Sequence, residues 1–270
     1  MSCCGPKGQA AWLKHPQPIP PSDINLAVAA GDVTGTVALH KFGRNPDVDT
    51  TTDPETVWGN GGVWVPPTQA RQHSIASSSA SDAPAGIGAL TITIQGLDTN
   101  FDEIEEDITM NGATPVTSSK SYTRIHRMFV LTVGTNLRNV GTITATAITD
   151  ATVSCAMDAE KGQTLHAIYT VPAGKTLYLD HIYASLNKSA STSTAAVELQ
   201  TRDVSTSGTA WRVRRHMGIH STSGVNQAFF TPALKVSEKH DIQMYVVEVS
   251  ASNSDISAGF DGFLVDEVDD

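Results

Sequence analysis

The sequence is poor in the features that usually announce chemistry. It holds only three cysteines in 270 residues, adjacent at Cys3 and Cys4 and then far off at Cys155. That excludes the even, spaced set of a disulfide scaffold and leaves stability to packing or partners. Charged residues reach only 17% and aromatic residues 6%, too few for a body built from long, ion-paired surface helices. The best helical candidate, 99–107, is short and acidic, enough for a turn or two. No stretch approaches the roughly 20 apolar residues of a membrane span, and the opening MSCCGPKGQAAWLK lacks a signal-peptide core. The expectation is a soluble chain made in the cytoplasm, with no membrane partner.

Basic residues are also scarce. Eighteen Lys and Arg face 28 Asp and Glu, a formal net charge of −10, and the cations are scattered along the chain. A phosphate backbone would meet mostly repulsion, so nucleic acid is not expected as a partner. A phosphate-binding glycine loop, a nucleophile elbow and a dinucleotide fingerprint are all missing, and Gly59, Gly61 and Gly62 depart from these motifs in spacing. The expectation is no enzyme and no cofactor.

What is present is strand grammar. Ser, Thr, Ala, Val and Gly crowd most segments, and 90–95 (LTITIQ) places apolar residues at every second position. Asn111-Gly112 predicts a type I′ hairpin. Further strands are expected at 128–133 and 142–148. A hairpin is expected at 166–186 around Pro172-Ala173-Gly174, followed by strands at 196–202, 211–217, 226–231, 241–249 and 259–265. About seven short strands at such spacing predict an all-β fold with a jelly-roll or β-sandwich body. The absence of a fixed-period repeat disfavours a propeller. The expected organisation has three parts: an extended N-terminal arm and Trp/Gly/Pro-rich docking loop over 1–75, a first β unit over 76–150, and a C-terminal sandwich or jelly roll over 151–270.

Within the first part, the Pro-rich stretch from His15 to Pro21 cannot order itself and is expected to lie across a neighbour. The 41–67 loop carries Trp58 and Trp64, which bury either on this chain's own core or in a partner's pocket. The low-complexity stretch SIASSSASDAPAG (74–86) suits a linker.

Chemical constellations are weak. His216 and His220 have a metal-like i, i+4 spacing, but on a strand such residues lie ~13 Å apart. Asp47, Asp49 and Asp53 alternate as calcium-loop oxygens do, without the glycine and bidentate Glu of an EF-hand, leaving an irregular Ca²⁺ site or a solvated turn open. Asp102, Glu103, Glu105, Glu106 and Asp107 offer paired carboxylates, but a polar row is ordinarily a solvated face. Cys3 and Cys4 read as inert thiols.

The blocks KFGRNPDVDT, ETVWGNGGVW, QGLDTNFDEIEEDITMNG, YTVPAGKTLYL and SAGFDGFLV, in that order, resemble virion structural proteins of short-tailed and related bacteriophages. The resemblance covers about residues 40–265 and implies a jelly-roll or sandwich protein of the particle: a capsid cement, decoration or head-fibre subunit. It would be made in the host cytoplasm and carried on the capsid surface, with the major capsid protein and copies of itself, as a homotrimer, for partners. No catalytic residues follow from it. The interface candidates are the anchors of arm and loop: Trp12, Phe42, Arg44, Trp58 and Trp64. The alternative is a tail- or head-fibre or receptor-binding module that holds carbohydrate on exposed aromatics such as Tyr183, Trp211 and Tyr245; a third reading, a depolymerase, rests only on the carboxylate row at Glu105 and Glu106.

Overall fold

The computed structural model describes residues 24–51, 54–188 and 192–267. Trp12, Cys3, Cys4, the Pro-rich stretch and Asp53 lie outside the described residues. One short helix, α1 (Ile24–Ala29), precedes β1 (Thr36–Val48) and β2 (Glu55–Thr56). Then follow β3 (His73–Ser77), β4 (Ala89–Leu97), β5 (Glu103–Thr109), β6 (Val116–Thr117), β7 (Arg124–Val133), β8 (Ile143–Ala147) and β9 (Val153–Met157). The C-terminal part contains β10 (Ile168–Thr170), β11 (Lys175–Asn187), β12 (Thr194–Asp203), β13 (Arg212–His220), β14 (Val225–Val236), β15 (His240–Val249) and β16 (Ser254–Asp266). Among the described residues no helix is long and apolar enough to cross a membrane.

The protein is all-β, with antiparallel pairing in four sheets. Their strand orders are β1-β16-β11-β14, β10-β15-β12-β13 with β2 beside β15, β6-β3-β8-β9, and β5-β4-β7. The apolar side chains fall into two large clusters. One is shared by the first two sheets, through residues such as Leu179, Ile182 and Phe260 from one and Val197, Leu199, Ile242 and Met244 from the other. The second joins the other two sheets through Ile75, Ile143 and Ala145 opposite Ile92, Ile94, Ile125 and Met128. Period-2 alternation produces this: in β8, Ile143, Ala145 and Ala147 are buried while Thr144 and Thr146 between them are partly exposed. Counted as sheets, the arrangement reads as four blades, the architecture that the missing repeat disfavoured. The sheets mix neighbouring strands, such as β4 beside β5, with strands distant in sequence, such as β1 beside β16, so no sequence period accompanies them.

Several expectations change. The 1–75 segment is not all arm and loop, because β1 is a full 13-residue strand paired along β16 and β11 lies beyond it. The first β unit runs past 150, since β9 pairs with β8. The 74–86 stretch is no linker: it opens with β3 and then folds around the buried Asp82, whose carboxylate accepts from Ala89 N (2.8 Å), Val140 N (2.8 Å), Gly141 N (2.8 Å) and Ser77 Oγ (2.5 Å). The 99–107 candidate helix is strand β5, whose alternating Ile104, Glu106 and Ile108 turn inward from exposed acids. Neither expected hairpin forms as such. Gly112 takes positive φ (60°) where the chain passes from the β5 sheet to the β6 sheet, and Gly174 (φ 68°) turns it from β10 to β11 in the facing sheet.

The order of strands sets the molecule out as a row. β1 and β10 are the edges that meet the other pair of sheets, through contacts of β10 with β7 and of Lys41 with the chain at His126. At the opposite side of the same two sheets, β14 and β13 are edges with no further strand beside them among the described residues.

Candidate functional site

Of the four expected interface anchors among the described residues, the structure leaves one in the open. Trp58 and Trp64 are 3% and 4% exposed and pack with Ile168 in a small cluster of their own. Their indole N–H groups are satisfied internally, by Gly62 O (3.0 Å) and Ser154 O (3.1 Å). A tryptophan held at both its apolar face and its polar tip is a buried anchor, so the docking-loop role falls on neither. Arg44 is spent on a two-pronged pair with Asp255 (2.8 and 2.9 Å), which holds its guanidinium more firmly protonated. Phe42 alone stays exposed, on the outer side of β1. Trp12 lies outside the described residues.

The two tryptophans mark a polar seam between the two pairs of sheets. Arg124 on β7 donates to both carboxylate oxygens of Asp241 on β15 (2.8 and 3.0 Å), and Arg202 and Thr170 add further bonds to the same group. Burial alone would raise the Asp241 pKa, but the two arginines and Thr170 outweigh it and leave the carboxyl below its ordinary value. Lys41 reaches in from β1 to donate to His126 O (2.7 Å), and burial lowers its pKa to about 8. His126 lies against the Tyr169 ring (centroids 4.3 Å) and faces the Thr170 N–H, while His166 sits edge-on to both tryptophans. Burial holds both imidazoles far below their usual pKa, so they are neutral spacers and poor proton shuttles at neutral pH. The seam opens on a cleft of about 620 Å³ lined by Lys41, His126, Tyr169, Glu103 and Glu105.

The other chemical candidates disperse. His216 and His220 lie on β13, the first bonded to Glu198 (3.1 Å) and the second to Thr222 (2.8 Å). Asp49 caps Asn253 N (2.8 Å). Among the described residues no group of three His, Cys, Asp or Glu is placed to hold a metal ion. In the carboxylate row, Glu103, Glu105 and Asp107 are exposed at alternate positions of β5, while Glu106 turns in to accept from Ser119 and Lys120. Cys155 is buried, and burial raises its thiol to about 12.

Two surfaces that sequence reasoning missed are better prepared for a partner. The first is a row across the outer side of the sheet β1-β16-β11-β14: Asp261 bonds His40 with one oxygen (2.9 Å) and His181 with the other (3.0 Å), and His181 stacks on Phe229 (5.3 Å). Tyr183 and Phe42 stand in the next row, separated only by Gly259, where an added Cβ would lie 2.4 Å from the Tyr183 hydroxyl. The second is the free edge. Residues 212–216 of β13 are all exposed, and β14 buries only Val236 of its twelve residues. Val213, Val225 and Phe229 are 52%, 58% and 60% exposed, while the core-facing Ala228, Phe230 and Leu234 are only half covered. The signal was present in the sequence: Arg212, Val213, Arg214, Arg215 and His216 break the apolar alternation on both faces of the strand.

No family model matches the chain, and no curated protein matches it.

Proposed function

We propose that this chain is a structural subunit of a bacteriophage particle, a capsid cement or decoration protein bound to the major capsid protein. Its core is read as an eight-stranded jelly roll, with the β2–β9 segment inserted between the first and second strands. The observation that carries this is strand order. Numbered one to eight, β1 and β10 to β16 make one sheet in the order 1-8-3-6 and a facing sheet in the order 2-7-4-5, both lining a single apolar cluster. Eight strands wound into two such sheets are a jelly roll, the architecture of many viral coat domains and also of lectins. A propeller blade, in contrast, is a sheet of its own around a central channel, and here the apolar residues are shared by sheets in pairs. Fold alone does not fix function. The likeness of the KFGRNPDVDT to SAGFDGFLV blocks to phage virion proteins supports the particle, and an edge with half-covered core residues supports a protein built to be covered by neighbours.

The test is a count. Quantitative mass spectrometry of purified particles should find this chain in numbers that match the shell lattice, whereas a few tens of copies would place it on the tail and absence would end the reading. A second reading, a receptor-binding module, is favoured by the aromatic row of Phe42, Tyr183 and Phe229 beside the His40, Asp261 and His181 chain. Retention of a surface glycan by the intact chain, lost in Phe229→Ala with Tyr183→Ala, would support it over the first.

A further inference from the structure

The free edge is chemically unlike the rest of the molecule. In a chain of net charge −10, β13 places Arg212, Arg214 and Arg215 within four consecutive residues, all exposed. Two of the three have no acidic partner in a salt bridge: Arg214 donates to the neutral Thr201 hydroxyl (2.7 Å) and Arg215 lies over the Phe230 ring (5.9 Å), while Arg212 has the Asp203 carboxylate in its vicinity. The complement lies at the other end of the row. Following the strands from β13 through β12, β15 and β10, across the seam to β7 and then β4, the succession ends at β5. There Glu103, Glu105 and Asp107 line up on the outward side, at the side-chain period of a strand. Two of them are held by neutral groups, Gln95 and Thr93, and Glu103 meets Lys175 only at 3.6 Å.

We infer that the chain associates head to tail with a second copy of itself, the basic edge β13 of one copy seating on the acidic row of β5 of the next. The inference rests on the reading of the protein as an assembly subunit and names the partner of its free edge. Because the two surfaces differ, the contact is heterologous: successive copies close into a ring or run on as a chain. The contact is made by side chains, since Lys120 Nζ already occupies the Glu105 carbonyl on the β5 edge (2.7 Å). Val213 and Val225 supply apolar area beside the charges, and Val225 and Arg215 together line a groove of about 480 Å³ between β13 and β14.

Sedimentation of the full-length chain over a range of concentrations tests this. The wild-type chain should self-associate at low ionic strength and dissociate as salt screens the charges. Reversing Arg212, Arg214 and Arg215 to Glu, or Glu103, Glu105 and Asp107 to Lys, should each weaken association by at least about tenfold, and mixing the two variants should restore hetero-pairs. Circular dichroism of each variant separates lost contact from lost fold. A wild-type chain that stays monomeric throughout, or variants that fail to rescue one another while remaining folded, would overturn the inference. So would β13 reversals that abolish particle binding without changing self-association, since another protein would then occupy the edge. Copy number in the particle is measured independently, so the shell reading survives or fails on its own data.

Discussion

The two lateral margins of the sheets β1-β16-β11-β14 and β10-β15-β12-β13 are built by opposite rules. At the seam, Arg124 and Arg202 converge on the buried Asp241, and Lys41 ends on a carbonyl oxygen. At the β13 and β14 margin, arginines stand in solvent and half-covered Phe230 and Leu234 show the core through an open edge. Desolvated ion pairs are costly to break but add little net stability over apolar packing, so their use at the seam fixes how the two sheet pairs meet. Exposed edges carry the reverse liability and are ordinarily covered, shortened or charged. Among the described residues, then, one side is closed by the chain itself and the other stays exposed, which is where the proposed assembly seats a neighbour.

Changes at the two margins should therefore differ in size. The largest effect is expected from Arg124→Met, which strands Asp241 with part of its compensation gone; urea denaturation should show a loss of about 3–4 kcal/mol. Asp82→Ala should follow at about 3 kcal/mol, because three backbone N–H groups and the Ser77 hydroxyl lose one shared acceptor in a buried loop. A pH titration of stability sharpens the contrast. Burial lowers the His73 pKa to about 4 in the folded chain, against about 6.5 when unfolded, so between those values the unfolded state binds the proton and the native state does not. Stability is then fully present above about pH 6.5, falls as the pH drops, and levels off below about 4, with about 2–3 kcal/mol from His73. His126 and His166 are shifted in the same direction by burial and add to the loss. His73→Gln should flatten part of that slope. At the open margin, Val213→Ser should change the stability of the monomer by less than about 0.5 kcal/mol while weakening assembly, measured by denaturation and sedimentation together.

Much of the β structure was legible because it depends on local alternation: the strands expected at 90–95, 241–249 and 259–265 fall within β4, β15 and β16, and the one expected at 142–148 contains β8. Connectivity was not, because Asn111-Gly112 and Pro172-Ala173-Gly174 specify a local turn without saying whether the next strand stays in the same sheet or crosses to the facing one. Both cross. The 74–86 stretch misleads by composition, since its order comes from one buried carboxylate 58 residues before Val140 in sequence. The Trp58 and Trp64 anchors were legible as anchors, but their pocket is assembled from Ile168 and Ser154, which no local pattern connects to them. The β13 edge was the reverse case: its broken alternation was visible in Arg212 to His216, and only the sheet order reveals that, among the described residues, no further strand pairs with it.

Amide hydrogen exchange on the purified chain and on intact particles tests the central claim most directly. The account predicts that 212–216 and 225–234 exchange fast in the isolated monomer, while β7 and β15 at the seam are slow, and that the β13 and β14 amides become protected in the particle. Equal exchange of those edges in both states would contradict it.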